Sequence, residues 1–296
     1  MPLDRLINIV VTITLIEMMV LIGLRATFAE LFQTARNLRL VARAVAANYL
    51  FVPGAAVGLL ILFDVRPTVA AGFLVLAACP GAPFGPPFAG IARANVPVAV
   101  GLMVILAGSS AIISPVLLYA LLPWVANGEA PRIDLIGLVR ALLITQLLPL
   151  LLGLVVKHWR PQLAEKLLGP FEFVSKILNL GTAGLILATQ LYMLTEIRMR
   201  GFVGMLILLV ASLIIGWLAG TSESDNRKTL ALTTSLRNVG VGLVIVTGNF
   251  AGTPAVSAAL AYGIVEVFGS LLVALWWGRP DMVARRLGRP TKHSSR

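Results

Sequence analysis

The chain reads as an all-α, polytopic membrane protein of about nine transmembrane helices, and three observations lead there. Of its 296 residues, 58% are hydrophobic and only 12% charged, with a mean hydropathy of +0.92, whereas soluble domains carry about 25% charged residues. Apolar runs of about 18 to 26 residues recur along the sequence, each able to cross about 30 Å of hydrocarbon at 1.5 Å per residue. No hydrophilic stretch is long enough to fold separately.

The first run, near 7–24, lacks a small-residue cleavage site and is expected to be a retained span rather than a signal peptide. Further spans lie near 38–62, 67–92, 97–124, 133–156, 170–193, 201–219, 229–250 and 254–277. The stretches 25–38 and 157–169 are expected to be linkers, and 279–296 a basic tail. The third and eighth spans are broken. Cys79-Pro80-Gly81-Ala82-Pro83-Phe84-Gly85-Pro86-Pro87 interrupts one, and Ser235-Leu236-Arg237-Asn238-Val239-Gly240 the other. An unpaired backbone amide in hydrocarbon costs several kcal/mol, so such breaks are tolerated where other helices or a watery cavity receive the freed groups. The two breaks lie five spans apart, and an odd shift reverses the direction of crossing. The whole chain, 1–296, is thus expected to be one domain with an inverted repeat, helices 1–4 over about 7–124 and helices 5–9 over about 133–277. Paired breaks of this kind point to a binding site near the midplane.

The net charge of +11 is no sign of nucleic-acid binding here, because the basic residues sit mainly in short loops and the tail. Arg25, Arg36, Arg39, Arg93, Lys157, Arg160, Lys166, Arg227 and Lys228 fall at alternate span ends together with the tail. By the positive-inside bias that side is cytoplasmic, so a cell-membrane protein with its N-terminus outside and its C-terminus inside is expected. The opposite loops carry Asp64 with Arg66, Glu129 with Arg132 and Asp134, and Glu196 with Arg198 and Arg200. A single cysteine excludes an internal disulfide, and His158 and His293 are too far apart to start a metal site. An intramembrane enzyme is disfavoured, since the spans hold no paired aspartates, zinc motif or G-x-S-x-G elbow. No cofactor and no metal are expected.

Charged residues at membrane depth mark function by default. Arg237 lies about ten residues into its span, roughly 15 Å deep. Glu266 and Glu17 each lie about a dozen residues into theirs. Arg237 is either locked in an ion pair with one of these acids or is a cation for an anionic substrate, and the two roles coexist if substrate displaces the carboxylate. Glu266 and Glu17 are the candidate coupling groups, with a proton as the candidate ion. Asn48, Asn238, Gln146 and Gln190 add neutral polar groups, of which Asn48, Gln146 and Gln190 serve equally as interhelical hydrogen-bond partners or as ligand contacts. Ser109 and Ser110 read as packing residues that bond back to their own helix.

The order and spacing of several short motifs resemble the bile acid:sodium symporter family over nearly the whole chain. Ala78-Cys79-Pro80-Gly81, then Arg93-Ala94-Asn95-Val96 and Ser114-Pro115, resemble its first crossing helix and the helix after it. Asp225-Asn226-Arg227-Lys228-Thr229 and Arg237-Asn238-Val239-Gly240 resemble its second crossing helix, and Gly269-Ser270-Leu271-Leu272 with Trp276 its last helix. The resemblance implies panel and core domains, two helices crossing at unwound centres, organic anions as substrates and alternating access. It also implies ten helices as the usual number, the first being absent here. Relative to the sodium-coupled members, the Thr-Ala-Ser-Asn stretch is replaced by Pro83, Phe84, Gly85 and Pro86, with Ala99 and Met103 at later hydroxyl positions. The usual glutamate and glutamine are replaced by Thr233 and Arg237, while Asn48 stands where a neighbouring helix offers a glutamine.

The expected activity is therefore secondary transport of a small organic anion with the sodium ligands substituted. Arg237, Asn238, Glu266, Asn48, Pro83 and Gly85 are the expected substrate contacts. Ordinary sodium symport and proton coupling through Glu266 are the alternatives, and the bilayer is the only other partner expected.

Overall fold

The computed structural model describes residues 3–125, 134–190, 199–221 and 223–279. The loop residues Glu129, Arg132, Glu196 and Arg198, the side chain of Gln190 and the tail from 280 lie outside the described residues. All regular elements among the described residues are helical. Eight helices are long and apolar enough to cross a membrane. The broken 67–91 segment, α5 (Pro67–Ala77) followed by α6 (Gly85–Ile91), completes the nine crossings that the sequence pattern predicts.

The panel is built from α1 (Leu3–Arg25), from α8 (Leu135–Leu142) running through a π-helical turn at Leu143–Leu147 into α9 (Leu148–Trp159), and from α10 (Pro161–Gln190). Packing of α1 on both α9 and α10 holds it together. Glycines permit the closest of these approaches. A Cβ at Gly23 would fall 2.3 Å from the Leu150 carbonyl oxygen, and one at Gly153 would fall 2.3 Å from that of Val20, the small-residue contact expected where no hydrophobic force separates helix from lipid.

The core comprises α3 (Leu38–Ala46), a π-helical turn at Ala47–Phe51 and α4 (Val52–Leu62), then α5 and α6, α7 (Val96–Val125) and α11 (Met199–Ala219). It closes with α12 (Ser224–Ser235), α13 (Val239–Asn249) and α14 (Pro254–Gly278). Gly72 lets α5 lie against the Ala255 backbone at the start of α14, and Gly216 does the same for α11 at Leu230 of α12.

Two stretches read as linkers are helical instead. Residues Phe28–Arg36 form α2, started by a capping box in which Thr27 Oγ1 accepts the Glu30 N–H at 3.2 Å and Glu30 Oε2 accepts the Thr27 N–H at 3.0 Å. The sixth span begins at Pro161 rather than near 170, with proline at a first-turn position whose N–H needs no partner. Several contacts gather the basic loops at one end of the bundle. Arg25 pairs with Glu172 at 2.7 Å, Phe28 meets His158 edge to face, and Asn95 hydrogen bonds Asn226 at 3.1 Å.

Candidate functional site

The two broken helices cross at their breaks, and nearly every carbonyl freed by the first break meets a donor. The Ala77 carbonyl accepts from Arg237 Nη1 at 3.3 Å, that of Ala78 from Ser114 Oγ at 2.7 Å, that of Cys79 from the Asn238 N–H at 2.7 Å, and that of Gly81 from Asn238 Nδ2 at 3.3 Å. Three of these four come from the second break, so the second break satisfies the first, as burial of backbone polar groups within a membrane demands. Gly81 is required twice over. Its φ is +88°, and a Cβ there would fall 2.4 Å from the Ala107 nitrogen on α7.

Arg237 is fully buried, and three elements hold it. Its guanidinium donates to the Ala77 carbonyl at the end of α5 and to the Thr234 carbonyl in the last turn of α12. Its backbone N–H donates to Glu266 Oε1 on α14 at 2.7 Å. The ion pair left open by the sequence takes another form: the side chains of Arg237 and Glu266 form no bridge, unlike Arg25–Glu172 and Lys157–Glu165. Glu266 instead receives an amide freed by the break. The guanidinium caps two helix C-termini, each carrying about −0.5 of a charge, so one cation balances both ends.

Beside the crossing lies a cavity of about 190 Å³ between panel and core. Arg237 and Pro83 line it, as do Phe84, Thr14 and Thr182. Most of the remaining wall is apolar, from Val11 and Met18 on α1 to Leu260, Val267 and Phe268 on α14. Val239 and Gly240 also face it, and their first-turn amides find no acceptor among the described residues. Asn238 closes that turn by accepting the Val241 N–H on Oδ1 at 3.2 Å. A cationic wall, exposed amides at a helix N-terminus and an apolar body together suit a small anion with a hydrophobic part.

The other expected site residues stand behind this surface. Asn238 and Glu266 hold the crossing together rather than lining the cavity, and a Cβ on Gly85 would rest 3.3 Å from the Thr233 methyl. Asn48 donates from Nδ2 to the Ala44 carbonyl at 2.9 Å and to Thr234 Oγ1 at 3.2 Å, bracing the helix end that Arg237 caps. Gln146 reaches from the panel to Ser110 Oγ at 2.7 Å and to the Ala107 carbonyl. Ser109 and Ser110 bond back to Leu106 and Ala107, as their positions predict. Glu17 lies on the buried face of α1, with neither oxygen hydrogen bonded. Sequence reasoning misses the panel's share of the wall, Thr14, Asn179 and Thr182. Their signal is the spacing of Ser175, Asn179 and Thr182, which puts one polar stripe on α10.

A model of the Sodium Bile acid symporter family matches residues 12–215. The chain belongs to this family. Its members are transporters and not enzymes, and the crossing of two broken helices agrees with the resemblance in the motifs. A probable sodium/metabolite cotransporter, BASS2 of the chloroplast, from Oryza sativa subsp. japonica is 24% identical over 90% of this chain and 64% of its own length. The chain thus spans less than two thirds of that relative. An uncharacterized sodium-dependent transporter, YocS, from Bacillus subtilis (strain 168) is 23% identical over 78% of this chain and 72% of its own.

Proposed function

We propose that the protein carries a small organic anion across the membrane by alternating access of panel and core, and that Arg237 takes the part of a bound coupling cation at the crossing. The supporting observation is the placement of the Arg237 guanidinium. It caps the C-terminal carbonyls of both α5 and α12 at the edge of the cavity that Arg237 helps to line, where an exchangeable cation would otherwise be needed to offset the two helix ends. The remaining donors fit sodium poorly. Thr233 Oγ1 bonds back to the Thr229 carbonyl at 2.9 Å, no carboxylate replaces the family's glutamate at that position, and a hard cation is repelled by a guanidinium so close. The clustering of basic loops at one end favours that end, and so the C-terminus, on the cytoplasmic side.

Sodium symport is the second reading, and the names of both relatives favour it. Thermal stability of the purified protein in detergent, against a panel of small carboxylates and sulfonates with and without sodium, separates the two. Stabilisation by an anion without sodium is expected. Stabilisation that needs sodium would overturn the surrogate-cation reading.

A further inference from the structure

The panel contains an acid that the crossing does not use. Glu17 is 9% exposed and lies eight residues, about 12 Å, along α1 from its basic end at Arg25. Neither of its oxygens meets hydrogen-bond geometry with a partner among the described residues, and the group set beside it on α10 is the neutral Ser175 hydroxyl. Glu266, the other deep acid, differs on this point, since it accepts the Arg237 amide and lies beside the buried Arg237 side chain. An ionised carboxylate without donors in a low-dielectric interior is far more costly than a neutral one. Glu17 therefore needs a cation of its own.

The elements packed on α1 supply none. From α1 itself the charged neighbour is Arg25, which is engaged with Glu172 of α10 at 2.7 Å. On α10, Ser175 meets Glu17, while Lys166 and Lys176 of the same helix are exposed. On α9 the titratable residues are Lys157 and His158 in the last turn, Lys157 paired with Glu165 and His158 edge to face with Phe28. The π-helical turn Leu143–Leu147 and α13 contain no titratable side chain.

A polar track connects this acid with the cavity. Asn179 donates from Nδ2 to the Ser175 carbonyl at 2.8 Å and lies 3.3 Å from Ser175 Oγ, and Asn179 itself lines the cavity. One turn further along, the Thr14 and Thr182 hydroxyls meet at 2.8 Å and also face it. An ion lodged at Glu17 thus has a route of hydroxyls and an amide into the space where the anion binds.

We propose that Glu17 is a proton-binding site of the panel, loaded in this conformation and emptied through the Ser175–Asn179 track, and that this proton is the coupling ion. The site complements the reading above, on which its transport role rests, because a permanent arginine at the crossing removes the exchangeable cation from the core. The proton adds to one Glu17 carboxylate oxygen and leaves the same oxygen to water in the cavity, so no other reactant is involved. Glu266 is then a positioning residue for the Arg237 backbone.

Infrared spectroscopy of the protein reconstituted in lipid near neutral pH tests the site without any substrate. Wild type is expected to show the carbonyl stretch of a buried protonated carboxylic acid, shifted in D₂O, which disappears in Glu17→Gln and persists in Glu266→Gln. Because glutamine copies the shape of the protonated acid, Glu17→Gln is expected to keep the wild-type melting temperature. Absence of the band in wild type, its survival in Glu17→Gln, or a sodium-dependent carboxylate band in its place would overturn the proposal. Proteoliposomes loaded with benzoate supply the transport arm. Wild-type uptake of labelled benzoate is expected to rise at least severalfold with an inward proton gradient, and Glu17→Gln to exchange benzoate while losing that rise. A Glu17→Gln variant that keeps the gradient response would refute coupling through this residue. If benzoate does not move at all while the infrared band behaves as expected, the transport reading fails and the proton site stands.

Discussion

Replacing Arg237 tests the crossing directly, because the guanidinium has two separable duties. Arg237→Met keeps the length and apolar stem of the side chain but removes the donors to the Ala77 and Thr234 carbonyls and the only charge among the described residues lining the cavity. Removing one partner of a buried, hydrogen-bonded charge pair costs about 2–5 kcal/mol of binding. At about 1.4 kcal/mol per tenfold, the affinity for an anion that stabilises wild type should fall by about 30-fold to about 4,000-fold. Arg237→Lys retains the charge as a compact head that cannot span both carbonyls, so a smaller loss, about tenfold, is expected. Titration calorimetry in detergent, on variants that elute as wild type by size exclusion, reads these losses. Arg237→Gln should remain deficient alone and should acquire sodium dependence when combined with Thr233→Glu, which returns an acidic ligand to the crossing. Anion affinity in Arg237→Met equal to that of wild type would refute both the site and the surrogate-cation argument.

Two further outcomes test how the crossing and the panel are built. Asn238→Ala deletes the α13 cap and the donor to the Gly81 carbonyl; about 1 kcal/mol for the cap and about 1–3 kcal/mol for the orphaned carbonyl should lower the melting temperature by several degrees, whereas an unchanged value would show that the backbone bond to Cys79 suffices. Gly153→Leu would drive a side chain into the Val20 carbonyl and should abolish monodisperse protein in detergent, while Gly58→Leu, at a position where a Cβ meets nothing within 4 Å, should leave the elution profile unchanged.

The architecture is largely legible in the sequence because hydrophobic length and helix breakers are local signals. All nine crossings lie within a few residues of their expected places except the start of the sixth, where Pro161 opens the helix within a polar stretch. The short α2 escapes the hydropathy pattern although Thr27 and Glu30 form a readable capping box. At the site, depth is legible and rotation is not. Arg237 and Glu266 are expected at the same level, but which atoms meet depends on the unwound backbone between Leu236 and Asn238, and no periodicity extends across a break. The π-helical turns at Ala47–Phe51 and Leu143–Leu147 escape pattern reading for the same reason. They rotate Asn48 and Gln146 into buried hydrogen bonds that an unbroken 3.6-residue period does not specify.

A fixed cation changes what coupling has to accomplish. Where the cation at a crossing is exchangeable, its binding and that of the anion depend on each other, and the ion gradient enters the cycle there. On the proposed reading Arg237 is always present, so an anion would find its counter-charge in every conformation and nothing at the crossing would oppose uncoupled movement. A monoanion crossing alone into a compartment at about −100 mV works against about 2.3 kcal/mol. A proton travelling with it cancels that charge, and the place to load such a proton is a site that communicates with the same cavity but belongs to the opposite domain. Glu17 on the panel reaches the cavity through Ser175 and Asn179, whereas Arg237 on the core lines it. Division of the two charges between domains lets a rigid movement of panel against core alter their separation in each half-cycle. An arginine and a carboxylate locked together in the core would offer no such dependence.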